Sequence, residues 1–337
     1  MILVDAIYIN NSGGKILLDY LIINLEKSNS KILYLLDTRV INKIPSIKNS
    51  NDVIFLKNNL FTRHKFYYHN KISFNKIICF GNIPPPLKNK AIVYTYFHQL
   101  LFLEKVQNFK YLDKIKIYFK KKYLKFNIDN TNFWIVQSNN VKHKLITEFQ
   151  NINTKNILIL PFYPQIESSN NTKKITNTFF YPSTGYVYKN HFKLITAFVK
   201  FFNEYKLGEL HLTISNDFPM ITDLILNFQE KGYPIINHGF IKRENLFELY
   251  SFAEYVIYPS LAESYGISIL EAIDFECKVI ASDLPYTHSV CKPSIIFNPH
   301  SVDSIYEAFV KSTERDINRS SKLVENNIIP LITILTL

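Results

Sequence analysis

Two glutamates, Glu263 and Glu271, lie eight residues apart around a glycine in the stretch PSLAESYGISILEA, residues 259–272. The neighbouring residues are apolar enough for a protein core, and a part-buried carboxylate needs hydrogen-bond donors. Hydroxyl groups of a sugar or ribose would serve, as would a lysine or a backbone amide. A helix beginning near Gly266 would also offer free amides to an anion such as a diphosphate. From the spacing alone, Glu263 would be a solvated loop residue and Glu271 an ordinary helix residue. Whether the two glutamates form a binding site therefore has to be judged from the surrounding sequence.

Apolar, β-rich runs alternate with helical patterns along the whole chain, which predicts an α/β fold of two doubly wound, Rossmann-like domains. We assign residues 1–163 to the first domain, 164–177 to a polar linker and 178–337 to the second domain. The predicted strand EYVIYPS ends at Pro259 and Ser260, so Glu263 is expected on the loop that follows it. Ligands bind at the carboxyl ends of such strands, which predicts a cleft between the two sheets.

The composition favours a protein with an anionic partner and argues against a nucleic-acid-binding or membrane-spanning protein. The chain has 337 residues and a net charge of +11, from 39 basic and 28 acidic side chains, which favours an anionic partner. Zinc spacings, RNA-binding sheet motifs and helix-turn-helix patterns do not accompany the charge, so nucleic acid is not expected. The longest apolar runs are too short for a membrane helix, and the start MILVDAIYIN lacks signal-peptide features. Three scattered cysteines are typical of a reducing cytoplasm.

The stretch PSLAESYGISILEA resembles the donor-site signature of the GT-B glycosyltransferases, specifically family 4, the group 1 glycosyl transferases. That family shows a strand ending in Pro-Ser, then Glu, a short apolar or aromatic residue, Gly, and Leu-Glu-Ala seven residues after the first Glu. The segments FFYPSTGYVYKNHFKLITAF, HGFIKRENLFELYSFAEYVIYPS and FECKVIASDLPYTHSV are similar to other family segments and occur in the same order. The resemblance covers most of residues 178–310.

This resemblance implies roles for three side chains. Glu271 would accept hydrogen bonds from the ribose hydroxyls of a nucleotide sugar, and Glu263 would hold or polarise the donor sugar. Lys189 would neutralise the leaving diphosphate, on which negative charge builds as the glycosidic bond breaks. Further donor-binding positions are Ser264, Tyr265, Gly266, Ile267 and Gly239.

The sequence departs from the family pattern at two places. Thr184 occupies the position where an arginine often precedes the donor-site lysine by five residues. His288 and Ser289 replace a glutamate that is common after SDLP. Diphosphate binding is therefore expected to depend more on Lys189 and the helix amides.

The first domain offers two candidates. Gly13 and Gly14 follow the first strand and resemble the family's glycine loop, which assigns Gly14 to donor binding; a simple tight turn is the alternative. His98 follows a later strand, in the family's usual place for a cleft residue, and is assigned as catalytic. A satisfied structural histidine is the alternative.

A basic stretch at residues 109–125 is predicted to form a helix with Leu112, Ile115, Phe119 and Tyr123 on one side. Lys114, Lys120, Lys121 and Lys122 fall largely elsewhere, which is typical of a helix lying on an anionic bilayer. A domain helix with a solvated basic face is the alternative.

The sequence thus predicts a cytoplasmic glycosyltransferase, attached peripherally to the cytoplasmic face of the inner membrane if the basic helix binds lipid. It would move a sugar from a nucleotide sugar to a saccharide or lipid-linked saccharide of a surface polysaccharide, lipopolysaccharide or capsule. No Asp-x-Asp motif occurs, so neither a metal nor a cofactor is expected, and the resemblance implies retention of configuration. An epimerase or phosphorylase of the same fold and a catalytically silent scaffold remain as alternatives.

Overall fold

The protein divides into two compact units. The computed structural model describes residues 1–70, 74–99, 102–103, 111–166 and 173–337, with backbone only at 111–114 and 116. One unit comprises Met1–Pro164 together with Glu325–Leu337, and the other comprises Gln165–Val324. No helix within these ranges is both long enough and apolar enough to cross a membrane.

The first unit is built on a parallel sheet. Its described strands are ordered β3-β2-β1-β4-β5-β6-β7. Their bounds are β1 Ile2–Ala6, β2 Ile32–Asp37, β3 Asp52–Leu56, β4 Lys76–Cys79, β5 Ile92–Phe97, β6 Phe133–Val136 and β7 Ile157–Ile159. The helices are α1 Ser12–Leu25, α2 Leu60–His69, α3 Tyr111–Phe126, α4 Asn139–Glu148 and the C-terminal α11 Ile328–Thr336. The central β1 is buried along its whole length, as expected for a parallel strand.

The second unit repeats this architecture with a parallel sheet ordered β10-β9-β8-β11-β12-β14. The strands are β8 Ile175–Tyr181, β9 Glu209–Leu212, β10 Ile235–Asn237, β11 Ala253–Tyr258, β12 Lys278–Ser282 and β14 Ile295–Phe297. A small antiparallel ribbon joins β13 Cys291–Lys292 to β15 Ser321–Lys322. The helices are α5 His191–Tyr205, α6 Pro219–Glu230, α7 Arg243–Phe252, α8 Ile267–Asp274, α9 Pro285–Val290 and α10 Val302–Lys311.

The strand order reverses between β1 and β4 in the first sheet and between β8 and β11 in the second. Ligands of open α/β sheets bind outside the carboxyl ends of the strands at such a switch point. The loop after β8 carries Lys189, and the loop after β11 carries Glu263. In the first sheet, β1 leads to Gly14, and His98 follows β5 directly. The predicted α/β fold is confirmed, and His98, Lys189 and Glu263 lie on the loops that follow these strands.

The C-terminal residues 325–337 belong to the first unit, although the sequence-based boundary placed them in the second domain. The backbone amide of Asn327 donates to the carbonyl of Pro161 at 2.7 Å, and Lys76 Nζ donates to the carbonyl of Ile334 at 2.8 Å. The apolar face of α11 is buried; it consists of Ile328, Leu331 and Leu335. Their spacing of three and four residues is that of a helix with one buried apolar side.

The helix predicted at 109–125 corresponds to α3, with residues 109 and 110 outside the described part of the chain. Leu124 is buried and Ile117 packs partly against the same core, so these two residues define the inner face. On the predicted apolar side, Phe119 is 63% exposed, and the side chain of Leu112 lies outside the described residues. The exposed face of α3 therefore combines aromatic rings with lysines, namely Tyr118, Phe119, Phe126, Lys120, Lys122 and Lys125.

Candidate active site

The loop that carries Lys189 is fastened to the loop after β11. Asn190, which immediately precedes α5, adopts a left-handed conformation with φ of 62°, a geometry that asparagine tolerates. Its side-chain amide donates to the carbonyl of Pro259 at 3.2 Å. The backbone amide of Leu261 donates to the carbonyl of Tyr188 at 2.8 Å. These bonds fix the position of Lys189 relative to the residues that precede Glu263.

Lys189 and Glu263 form a direct ion pair between Nζ and Oε1. Each side chain is only 12% exposed, and the rings of Tyr188 and Tyr258 lie 5.5 and 5.7 Å from the ammonium nitrogen. Charges shielded from water interact more strongly than surface charges. Because a lysine ammonium has three donors, Lys189 can hold Glu263 and an anionic ligand at the same time. The structure therefore brings together two residues that the sequence placed 74 positions apart.

The turn from Glu263 into α8 depends on Gly266. This residue has φ of +77° and precedes the first residue of α8, Ile267, a backbone conformation that favours glycine. No described side chain caps this helix end, so its first amides are available to an acceptor. Ser264 is half-buried and Tyr265 is buried in the same turn. The five residues from Glu263 to Ile267 thus form one continuous, partly buried segment.

Glu271 projects from α8 into the interior and is 3% exposed. Its Oε1 accepts a hydrogen bond from Arg243 Nε at 2.7 Å, and its Oε2 accepts one from the hydroxyl of Tyr250 at 3.1 Å. Burial raises the pKa of this carboxyl, and the charge of Arg243 acts in the opposite direction. The carboxylate is therefore held in a fixed orientation by a cation and a phenol.

The sequence analysis predicted that Glu271 needs donors but named neither Arg243 nor Tyr250. The two residues lie seven positions apart on α7, which places them on the same helical face. That spacing is the signal in the sequence. The spacing gains meaning because α7 packs beside α8 and brings both residues to Glu271.

Gly239 lies between β10 and α7 with φ of +68°. A Cβ at this position would meet nothing within 4 Å, so the glycine is required by backbone conformation rather than by close packing. The segment from Gly239 leads directly to Arg243, the residue that contacts Glu271.

Gly14 and His98 are brought together in the first unit. A Cβ at Gly14 would lie 3.3 Å from His98 Nε2, so close approach of the imidazole accounts for the glycine. The backbone amide of His98 donates to Asn82 Oδ1 at 2.6 Å. Burial lowers the pKa of His98 to about 4, so the ring is uncharged at neutral pH.

The two positions that depart from the family pattern, Thr184 and His288, make contacts of their own. Thr184 is exposed, and its carbonyl accepts a hydrogen bond from His191 Nε2 at 2.9 Å. His288 pairs with Asp283 at 2.6 Å, with both side chains about half exposed. Within the described ranges, no three His, Cys, Asp or Glu side chains are grouped so that they could hold a metal ion.

Comparison with known proteins finds similarity in both sequence and fold. Residues 162–328 match the family model described as "Glycosyl transferases group 1". A curated relative, the O-antigen chain mannosyltransferase RfbU of Salmonella typhimurium, is 23% identical over 239 residues. That match covers 67% of this chain and 66% of the relative's length, just under two thirds.

Solved structures extend the likeness over nearly the whole chain. A sucrose-phosphate synthase from Thermosynechococcus elongatus superposes with a TM-score of 0.68 at 15% identity, covering 99% of this chain and 94% of its own. The lipopolysaccharide outer core galactosyltransferase WaaB superposes with a TM-score of 0.62 at 14% identity, covering 94% and 91%. The chain therefore has the GT-B fold of two Rossmann-like α/β domains, and the segment 162–328 matches the group 1 glycosyl transferases.

Proposed function

We propose that this chain is a retaining, metal-independent glycosyltransferase of family 4 that uses a nucleotide sugar. Its acceptor would be a saccharide or lipid-linked saccharide in lipopolysaccharide or capsule synthesis. The observation that carries the proposal is the Lys189–Glu263 ion pair, fixed by two loops at the switch point of the second sheet. The match at residues 162–328 supports the transfer chemistry, and the names of RfbU and WaaB support a surface polysaccharide.

The proposed residue roles follow from charge and position. Glu271 accepts hydrogen bonds from ribose hydroxyls, and the first amides of α8 bind diphosphate oxygens. The acceptor's hydroxyl oxygen bonds to the anomeric carbon of the donor sugar as the bond from that carbon to the diphosphate oxygen breaks. The electron pair of the broken bond remains on the diphosphate oxygen, and the hydroxyl proton passes to the diphosphate. Lys189 stabilises that growing charge, and Glu263 contacts the sugar. Ser264, Tyr265, Gly266 and Ile267 shape the turn that holds the donor.

His98 contributes through hydrogen bonding rather than proton transfer. With a pKa of about 4 the imidazole is a weak base at neutral pH, and it offers one donor and one acceptor nitrogen. Such a ring suits a sugar hydroxyl. Gly14 allows the ring to lie close to the start of α1.

A panel of nucleotide sugars tests the proposal. We expect release of nucleoside diphosphate from one donor, measured with and without a saccharide acceptor. We also expect release to continue in EDTA, because Lys189 and the amides of α8, rather than an acidic pair, would neutralise the diphosphate. Loss of activity in EDTA that magnesium or manganese restores would contradict the metal-independent mechanism. Conversion of the nucleotide sugar without diphosphate release would favour an epimerase, and binding without turnover would favour a scaffold.

We further propose that the exposed face of α3 binds an anionic membrane surface and so keeps the enzyme on the cytoplasmic face of the inner membrane. Tyr118 is 58% exposed and Phe126 is 84% exposed. Aromatic rings enter the headgroup layer, while lysines attract anionic lipids. The same face presents both groups.

Replacing Lys120, Lys122 and Lys125 by glutamine is expected to release the protein from vesicles that contain anionic lipid, since each lysine contributes about 1 kcal/mol near such a surface. Co-sedimentation with vesicles measures the effect. Lys121→Gln is a matched control, because Lys121 already pairs with Glu148 at 3.0 Å and is expected to change binding little. If the wild-type protein does not bind these vesicles even at low salt, α3 is only a domain helix with a solvated face.

A further inference from the structure

Arg243 has a hydrogen-bonding group that the described protein does not use. Its Nε donates to Glu271, but its Nη2 is buried and has no hydrogen-bond partner among the described residues. A buried guanidinium N–H without an acceptor is costly and rare in folded proteins. The side chain as a whole is 25% exposed, so the guanidinium lies at the boundary between interior and solvent. An acceptor supplied by a ligand would satisfy this group.

Glu271, the partner of Arg243 in this ion pair, has unused positions for accepting hydrogen bonds. An ionised carboxylate can accept about four hydrogen bonds, two at each oxygen. Arg243 occupies one position on Oε1 and Tyr250 occupies one on Oε2. One acceptor position therefore remains on each oxygen. Two donors on adjacent atoms, as in a vicinal diol, fit this arrangement.

The guanidinium of Arg243 is also held in place. Its central carbon lies 5.2 Å from the ring centroid of Phe247, one turn further along α7. Contact with an aromatic face restrains the planar group. The free Nη2 donor therefore has a defined position next to the carboxylate.

We propose that Arg243 is a specificity-determining residue that reads the ribose diol of the donor nucleotide together with Glu271. The two ribose hydroxyls donate to the two oxygens of Glu271, and Arg243 Nη2 donates to one hydroxyl oxygen. The pair thus uses both the donor and the acceptor capacity of a hydroxyl group. This inference rests on the proposed function, because it requires a nucleotide donor beside Glu271.

The charge of Arg243 has a second consequence. Burial raises the pKa of Glu271 and Arg243 opposes that rise, so an uncharged residue at position 243 would let the carboxyl take up a proton more readily. A protonated carboxyl would lose acceptor capacity for the diol. Recognition of ribose should then weaken as the pH falls.

The experiment compares nucleotides that differ by one hydroxyl. UDP, GDP and ADP are first titrated into wild-type protein, and the tightest binder is then compared with its 2′-deoxy and 3′-deoxy counterparts. We expect wild-type protein to prefer the ribonucleotide by at least about tenfold, and Arg243→Gln to reduce that preference by about tenfold. In Arg243→Gln the remaining preference should fall further as the pH is lowered.

Matched variants separate recognition from folding. Arg319→Gln removes the same charge from an exposed pair with Glu276, at 3.9 Å, and should leave the preference unchanged. If Arg243→Gln does not fold, Arg243→Lys keeps the charge but lacks the planar fork, and its preference should also fall. An unchanged ratio of ribonucleotide to deoxynucleotide affinity in a folded Arg243 variant would overturn the inference. Failure of wild-type protein to bind any nucleoside diphosphate would instead overturn the proposed function.

Discussion

Replacing Lys189 by alanine is expected to lower turnover about 100-fold, on the scale of losing one preorganised stabilising group. The affinity for nucleoside diphosphate should fall much less, because the charge on the leaving phosphate oxygen is greatest in the transition state. The ion pair with Glu263 strengthens this expectation. It holds the ammonium group in place before the reaction, so no energy is needed to orient it as the bond breaks.

Steady-state kinetics and titration calorimetry on the same preparations measure the two effects separately. Lys200→Ala is a suitable control, since it removes a lysine from α5, the helix that follows Lys189, where it pairs with Asp303 at 2.7 Å on the surface. Turnover of that variant should stay near the wild-type value. If Lys189→Ala turns over at the wild-type rate, another residue stabilises the leaving group.

The fold could be predicted from the sequence wherever local pattern and burial agree. β1 and β11 are buried along nearly their whole length and β8 over its last four residues, which is the pattern of parallel strands covered by helices. The segment of α2 was not recognised as a helix. Its buried side includes Arg63, whose guanidinium pairs with Asp5 at 2.8 Å in the interior. Arginine side chains are usually exposed to solvent, so the sequence does not suggest that Arg63 lies on the buried side of a helix. Its ion pair with Asp5 makes that burial possible.

The candidate site was proposed from two separate segments that resemble the family. Glu263 and Glu271 lie in one of them and Lys189 lies in the other, 74 residues before Glu263, and the structure brings Lys189 and Glu263 into direct contact. Arg243 lies 28 residues before Glu271, and only the packing of α7 against α8 makes them neighbours. Contacts between elements that are distant in sequence depend on tertiary geometry, which periodicity does not encode. The membership of α11 in the first unit was missed for that reason too.

Replacement of Glu271 is expected to have a large effect on nucleotide affinity. Its replacement by alanine is expected to weaken nucleotide affinity by about 1–3 kcal/mol, roughly 5- to 150-fold, because the acceptors for the ribose hydroxyls are lost. Alanine also leaves Arg243 without its carboxylate partner, so Glu271→Gln, which keeps the shape of the side chain, is measured beside it. Glu276→Gln removes an exposed carboxylate next to the end of α8 and should leave the nucleotide affinity unchanged.

Titration calorimetry of the nucleoside diphosphate that binds wild-type protein tests the central claim most directly, that the second unit holds the donor through Glu271. The account predicts that folded Glu271→Ala and Glu271→Gln bind this nucleotide more weakly, with the alanine variant 5- to 150-fold weaker. Glu276→Gln should bind like wild type. Wild-type affinity in a folded Glu271→Ala variant would contradict the account, because the nucleotide would then bind elsewhere.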